Sequence, residues 1–325
     1  MSLLEVENLR VSFRTNDGVV NAVNDISFSM DTSQTLAIVG ESGSGKSQTA
    51  FAILGLLADN GQATGSVKFN NEEILNASQA RLNDIRSAGI GIVFQDPMSS
   101  LNPYMRVSSQ MAEVLMLHKG LSKTDAISAS VRMLDAVKIP DAKNRVKQYP
   151  HEFSGGMRQR VMIAMSLLCK PQLLIADEPS TALDVTVQAQ IMELFAELQH
   201  EFAMGVMLIT HDLGVVAGFC KEIIVLYGGC VMEQGSVEAL FESPSHPYTR
   251  GLLGSVLRID ESTSSLATIP GSPPNMLHAP AGCPFEPRCA YAIDRCADQK
   301  PVLSEYVVGV SERVRACHVA ADELK

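Results

Sequence analysis

Thr35-Leu36-Ala37-Ile38-Val39 runs directly into Gly40-Glu41-Ser42-Gly43-Ser44-Gly45-Lys46-Ser47, and that octet leads into Gln48–Leu57. The order is a short apolar strand, a glycine-rich turn and a segment able to run as a helix. It is the G-x-x-x-x-G-K-S pattern in the context that gives it meaning. Glycines let successive backbone N–H groups converge on phosphate oxygens, and the N-terminus of the following helix adds a favourable dipole. Lys46 is placed to reach the β and γ phosphates, and the Ser47 hydroxyl to meet Mg²⁺. A ligand-free glycine turn would match this octet by chance, so its companions elsewhere in the chain decide the reading.

The first companion is Leu173-Leu174-Ile175-Ala176-Asp177-Glu178, an apolar strand ending in two carboxylates. Beside a phosphate loop, Asp177 would hold the metal through water and Glu178 would polarise the attacking water. Without such a loop the two would read as solvated acids at a strand end. A further strand, Val206–Ile209, runs into Thr210-His211-Asp212 and puts an imidazole at the carboxyl edge of the sheet, where ligands bind. A lone histidine there is commonly structural, so His211 gains its meaning from the set. Thr35–Val39, Ile90–Phe94, Leu173–Ala176, Val206–Ile209 and Ile223–Leu226 read as buried strands. Between two of them, Val187, Ile191, Leu194, Leu198 and Phe202 recur at spacings of three and four and mark one helical face. Strands alternating with helices predict a largely parallel α/β sheet.

A chain of 325 residues with 46% hydrophobic and 19% charged residues has room for a large domain and an extension. Its longest apolar runs, such as Val161–Cys169, fall far short of the ~20 residues that cross a bilayer. The N-terminal MSLLEVENLRVSF carries charges where a secretory signal would be apolar, so a cytoplasmic protein is expected. A net charge of -10, from 26 basic and 36 acidic residues, disfavours a general nucleic-acid binder. Nine of the 15 prolines fall between Pro244 and Pro301, which places a boundary near residue 245 and predicts loops and turns beyond it.

Phe153-Ser154-Gly155-Gly156-Met157-Arg158-Gln159-Arg160 opens the helical run Gln159–Cys169, 23 residues before Asp177. With Gln95 after the strand Ile90–Phe94, Ser180-Thr181-Ala182-Leu183-Asp184 after the acids, and His211, the chain resembles the ATP-binding subunits of ABC transporters. The likeness covers about residues 3–240 with every motif in order. It implies a P-loop NTPase fold: a RecA-like core with a small antiparallel sheet and a helical subdomain inserted at about residues 96–171, in an ATPase domain of residues 1–245. It also implies a head-to-tail dimer that sandwiches two ATP molecules. On this resemblance Gly40, Glu41, Ser42, Gly43, Ser44, Gly45, Lys46 and Ser47 cradle the phosphates. Ser47, Gln95 and Asp177 serve Mg²⁺; Glu178, His211 and Gln95 are catalytic. Ser154, Gly155 and Gly156 contact the ATP of the partner subunit, and Asp184 lies at the dimer interface. Phe13 matches the aromatic that stacks on adenine, although a phenylalanine in a strand serves equally as core. Phe153 and Met157 stand where Leu and Gln are common. A partner with a different signature would make the two composite sites unequal.

Val93-Phe94-Gln95-Asp96-Pro97-Met98-Ser99-Ser100-Leu101-Asn102-Pro103 and His246-Pro247-Tyr248-Thr249-Arg250-Gly251-Leu252-Leu253 are similar to the peptide and nickel importer branch of that family. Tyr104-Met105-Arg106-Val107 and the stretch Tyr149–Met192 are most similar to ATP-binding subunits of oligopeptide permeases. The implied function is ATP hydrolysis that powers oligopeptide import, at the cytoplasmic side of the inner membrane. The implied partners are a second, different ATPase subunit, two transmembrane permease subunits and, indirectly, an external peptide-binding protein. Dipeptide or nickel import is the near alternative. A soluble ABC ATPase acting on nucleic acid is a more distant one. A separation of 108 positions from Lys46 to Ser154 leaves no room for a long coiled coil, and there is no basic tract. An interaction-only subunit would be expected to have lost Glu178 or His211.

Residues 246–325 carry the remaining chemistry. Cys283-x5-Cys289-x6-Cys296-x20-Cys317 sits in a proline-rich stretch. Four thiolates hold either zinc or an iron–sulfur cluster. Structural zinc sites favour tighter C-x₂₋₄-C knuckles, and wider loops suit a [4Fe–4S] cubane, which the importer branch also supports. Zinc and unligated thiols stay as alternatives. A structural staple fits so short and loop-rich an extension better than a redox gate on transport.

Overall fold

Why Thr35–Val39 is a strand follows from its burial: Leu36, Ala37, Ile38 and Val39 are all at most 2% exposed, as a strand covered on both faces requires. The structure is a computed structural model and describes residues 2–181, 184–255, 269–308 and 311–324. Its strands are β1 (Ser2–Thr15), β2 (Gly18–Asp31), β3 (Thr35–Val39), β4 (Gly61–Phe69), β5 (Glu72–Glu73) and β6 (Ile90–Val93). They continue as β7 (Leu173–Asp177), β8 (Gly205–Thr210), β9 (Glu222–Tyr227), β10 (Cys230–Ser236), β11 (Ser304–Val308) and β12 (Ser311–Arg315). Two compact units emerge: one of Asp31–Gln34 and Ala77–Met207, the other of Ser2–Met30, Thr35–Asn76 and the described residues from Leu208 onward.

In the second of these units β2-β1-β4-β5 form an antiparallel sheet. Leu4 of β1 faces Phe69 of β4 and Phe13 faces Gly61, with a register shift between Glu7 and Arg10. Asn8 at φ 49° and Gly65 at φ 111° build that bulge, and a Cβ on Gly65 would come 2.5 Å from the Asn8 carbonyl oxygen. The same unit contains the neighbours β11-β12-β10-β9-β3. β3 and β9 run parallel, Leu36–Val39 beside Glu222–Val225, and β10 returns antiparallel on β9. Burying each Ile, Leu or Val of these strands stabilises the fold by about 1.5–3 kcal/mol. β12 joins β10 through Glu233 opposite Arg315 and Gln234 opposite Val314. The extension thus adds a hairpin to this sheet where loops were expected; its prolines stop at Pro301, and Ser304–Arg315 has none to interrupt pairing.

In the other unit β6 and β7 pair in parallel, Ile90–Val93 beside Leu173–Ala176. Helices Val107–Lys119, Lys123–Ala136 and Gly155–Leu167 pack on one another and bury Met111, Leu115, Leu134 and Ile163. Helix Val185–Phe202 buries Ile191, Leu194, Phe195 and Leu198, so the core face turns toward Phe195, while Val187 and Phe202 are only half-buried.

Element ends differ from the sequence reading for local reasons. The helix after the octet is Lys46–Leu54 rather than Gln48–Leu57, because Gly55 at φ 62° ends it and the Leu56 N–H returns to the Phe51 oxygen at 2.7 Å. The helix expected from Gln159 starts at Gly155, capped by Ser154. Ala182 and Leu183, and residues 256–268 of the expected extension, lie outside the described residues. Among the described residues no helix is long and apolar enough to cross a membrane.

Candidate functional site

The octet folds as a turn that only glycine permits at its key points. Gly40 has φ 153°, and a Cβ on it would lie 2.2 Å from the Leu226 oxygen. Gly45, at φ 100°, is the N-cap of helix Lys46–Leu54, and its Cβ would lie 2.4 Å from the Ala22 oxygen. Lys46 is 5% exposed and curls over its own loop, donating to the Gly40 oxygen at 2.8 Å and the Glu41 oxygen at 3.0 Å. The Ser44 hydroxyl is buried with no hydrogen-bond partner, a free polar atom inside the cradle. Ser47 is half-buried in the first turn, and Ser42 and Gly43 are exposed. An anion at this place would meet the positive end of a nine-residue helix.

Three features that sequence reasoning missed brace the loop. The Gly229 N–H donates to the Ser44 oxygen at 3.1 Å, and the Asn24 N–H donates to the Gly229 oxygen at 2.7 Å. The Glu41 N–H donates to the Tyr248 hydroxyl at 2.9 Å. Arg288 meets the Glu41 carboxylate at 2.6 Å. Tyr248 and Arg288 lie more than two hundred residues from Glu41, and although Gly228-Gly229 marks a turn and Tyr248 falls in the stretch His246–Leu253, no spacing signals these contacts.

His211 is exposed at the end of β8, where Asp212 caps helix Leu213–Phe219 by accepting from the Gly214 N–H at 2.9 Å. It lines a cavity of about 340 Å³ together with Val39, Gly40, Glu41, Leu252, Ser255 and Ile269. The structure thus brings His211 to the octet, and lines the same cavity with residues of the extension. Phe13 is half-buried opposite Gly61, and a Cβ on Gly61 would come 2.7 Å from its ring.

In the other unit Asp177 is 4% exposed at the end of β7. Glu178 follows at φ 47°, a left-handed conformation that costs a non-glycine residue about 1–2 kcal/mol. Its carboxylate accepts from the Gln95 amide at 3.1 Å and from the Thr181 hydroxyl at 2.9 Å. Gln95 and Glu178, distant in sequence, are therefore partners. Ser154 and Gly155 are exposed at the start of helix Gly155–Leu167, and the Ser154 hydroxyl accepts from the Met157 N–H at 3.4 Å. A Cβ on Gly156 would meet Val187 at 2.8 Å. Asp184 is exposed and caps helix Val185–Phe202, accepting from the Val187 N–H at 2.9 Å.

All seven cysteines are free thiols. The Cys283 N–H donates to the Cys296 oxygen at 2.8 Å, which ties the first and third members of the predicted set. Burial pushes the Cys283 thiol up to about 12, and the neighbouring Cys296, Cys317 and Cys289 push it the same way. Burial also raises Cys289 and Cys317. Among the described residues, however, no three His, Cys, Asp or Glu side chains are arranged to hold a metal ion, so the expected zinc or cluster site is not preformed.

Residues 23–181 match the ABC transporter family, and residues 232–296 match the C-terminal region of oligopeptide/dipeptide transporters. The chain is 59% identical over 322 residues to the oligopeptide transport ATP-binding protein OppD of Salmonella typhimurium, covering 99% of this chain and 95% of that one. Identity is 57% over 321 residues to the protein of the same name from Haemophilus influenzae, with 99% and 98% coverage. The dipeptide transport ATP-binding protein DppD of Bacillus subtilis is 50% identical over 289 residues, covering 88% of this chain and 86% of that one. Among solved structures, the ATP-binding cassette MJ0796, in a dimeric post-hydrolysis state bound to ADP and Pi, matches with a TM-score of 0.64 at 26% identity. That match covers 72% of this chain and 98% of the other.

Proposed function

The chain belongs to the ATP-binding proteins of the ABC transporter family, in the branch with the oligopeptide/dipeptide C-terminal region, and from that premise we propose that it hydrolyses ATP to power oligopeptide import. The observation that carries the reading is identity of 57–59% over nearly the whole chain to oligopeptide transport ATP-binding proteins. The donor set supports it: a glycine cradle that a Cβ would fill, an unpartnered Ser44 hydroxyl, and Lys46 held over the turn.

In this reading Gly40–Ser47 bind the triphosphate through backbone N–H groups, with Lys46 on the β and γ phosphates. Ser47, Asp177 and Gln95 would hold Mg²⁺, which when bound offsets the charge that develops on the transferred phosphoryl group. Glu178 takes a proton from the attacking water, and its bond to Gln95 keeps the carboxylate oriented. His211 holds the γ phosphate and that water. Ser154, Gly155 and Gly156, the first two exposed at their helix N-terminus, meet the ATP of a second, different ATPase subunit, and Asp184 lies at that interface. Phe13 stacks on adenine. Two membrane-spanning permease subunits dock the ATPase pair at the cytoplasmic face, so this chain never touches the peptide, which an external binding protein delivers.

We read residues 1–245 as the ATPase domain, with a helical subdomain at about 96–171, and 246–325 as an extension that carries a [4Fe–4S] cluster on Cys283, Cys289, Cys296 and Cys317. Four free thiols fit a group with several corners; after burial, Cys296, Cys317 and Cys289 push the Cys283 thiol up, and Cys317 and Cys296 push up that of Cys289. A zinc ion on the same four thiols is the alternative. When bound, the cluster would staple a loop-rich segment with little core of its own.

Titration of the purified chain with Mg-ATP tests the premise. Saturable binding that Lys46→Ala abolishes is expected. Binding untouched by that change would remove the octet from the site.

A further inference from the structure

Glu41 puts a carboxylate at the second position of the octet, which the G-x-x-x-x-G-K-S pattern leaves open. An uncompensated negative charge there would repel an incoming phosphate. In the structure Arg288 meets it: Nη1 donates to Oε2 at 2.6 Å and Nη2 to Oε1 at 3.1 Å. This two-point, planar pairing is one that lysine does not reproduce. The other N–H groups of the guanidinium are also engaged. Nη1 donates to the Tyr227 hydroxyl at 3.1 Å, Nη2 to the Ile269 oxygen at 3.0 Å and Nε to the Pro270 oxygen at 2.7 Å. All five donors of the side chain are thus used in one seat. The Arg288 side chain is 5% exposed, that of Glu41 26%. Such a seat fixes the cation beside the loop, and the Tyr248 hydroxyl holds the Glu41 N–H from the same extension.

We propose that Arg288 is a positioning residue for nucleotide binding: it neutralises Glu41 and so lets the octet accept a triphosphate. The C-terminal extension is then part of the nucleotide site and not only an appendage to it. This rests on reading Gly40–Ser47 as the ATP cradle. The nucleotide's charge grows from AMP to ADP to ATP, so the loss of Arg288 falls hardest on ATP.

The test measures Kd for Mg-ATP and ADP on the full-length chain by calorimetry, at low and high salt. Arg288→Ala is expected to raise the ATP Kd roughly tenfold and the ADP Kd less, with the difference shrinking in salt. Adding Glu41→Gln to Arg288→Ala is expected to recover ATP binding to within about threefold of the parent, because it removes the charge that Arg288 offsets. A loss of folding alone would not be rescued in this way. Should Arg288→Ala not fold, Glu41→Gln by itself is expected to tighten ATP relative to ADP, and weakening would overturn the proposal. It is equally overturned if Arg288→Ala binds ATP within about twofold of the parent, or loses ATP and ADP alike without rescue. Failure of the premise is distinct: the parent would not bind ATP, or Lys46→Ala would bind it normally.

Discussion

Replacing Gly40 by alanine strains the loop at a point where nothing nearby can yield. A Cβ there would lie 2.2 Å from the Leu226 oxygen and 2.7 Å from the Ser44 hydroxyl, whereas ordinary contact begins at 3.4 Å, so one side must move by about 1 Å. Leu226 is fully buried and paired with Val231 across β9 and β10, so its carbonyl cannot retreat without disturbing the sheet. Overpacking of this kind costs roughly 1–3 kcal/mol. Holding alanine at φ 153° adds about 1–2 kcal/mol. Together this is ~2–5 kcal/mol of the ~5–15 kcal/mol that a protein commonly has. At about 2–4 °C per kcal/mol, Tm falls by at least ~4 °C. The assay is thermal unfolding with and without Mg-ATP. At about a hundred times Kd the parent gains ~2.7 kcal/mol from ligand, and Gly40→Ala is expected to lose that gain as well. A variant that melts within ~1 °C of the parent and keeps its ATP shift would refute the steric reasoning.

Other changes separate the roles. Glu178→Gln keeps an acceptor for Gln95 and Thr181, so Mg-ATP binding is expected to stay within about threefold while turnover in the assembled transporter drops roughly 10²–10⁴-fold, read as phosphate release. Unchanged turnover would remove Glu178 as the base. For the cysteines, anaerobic purification is expected to give about four irons and four sulfides per chain, lost in Cys289→Ser; one zinc without sulfide would replace the cluster by a zinc site. Burial holds the His246 imidazole down at about 3, so the unfolded chain binds one more proton between about pH 6.5 and 3. Its contribution is complete above about pH 6.5 and declines as pH falls, by up to ~1.4 kcal/mol per unit. His246→Asn, whose amide oxygen can take over the bond from the Tyr248 N–H, is expected to flatten the urea-denaturation stability between pH 6.5 and 5.5; an unaltered slope would contradict this.

The core of this fold is legible in the sequence where the structure is local. Thr35–Val39 and the octet are consecutive, and each needs only its own residues to be recognised. β1 is harder, because the bulge at Asn8 breaks its alternation and hides a 14-residue strand. The hairpin of β11 and β12 was masked by the proline-rich stretch before it, which biases the reading toward loop. At the site, Lys46 and Glu178 were found from motifs. The contacts of Tyr248 and Arg288 with Glu41 were not, since each spans more than two hundred residues and no spacing records them. The bond between Gln95 and Glu178 is of the same kind, although both residues had been singled out separately.

The most direct test of the central claim is uptake of a labelled oligopeptide into vesicles that contain the complete transporter, with ATP hydrolysis followed in the same sample. ATP turnover that rises with peptide-loaded binding protein, with uptake and turnover both lost on Glu178→Gln, is the predicted result. Uptake that continues without ATP, or hydrolysis indifferent to peptide, would contradict the account.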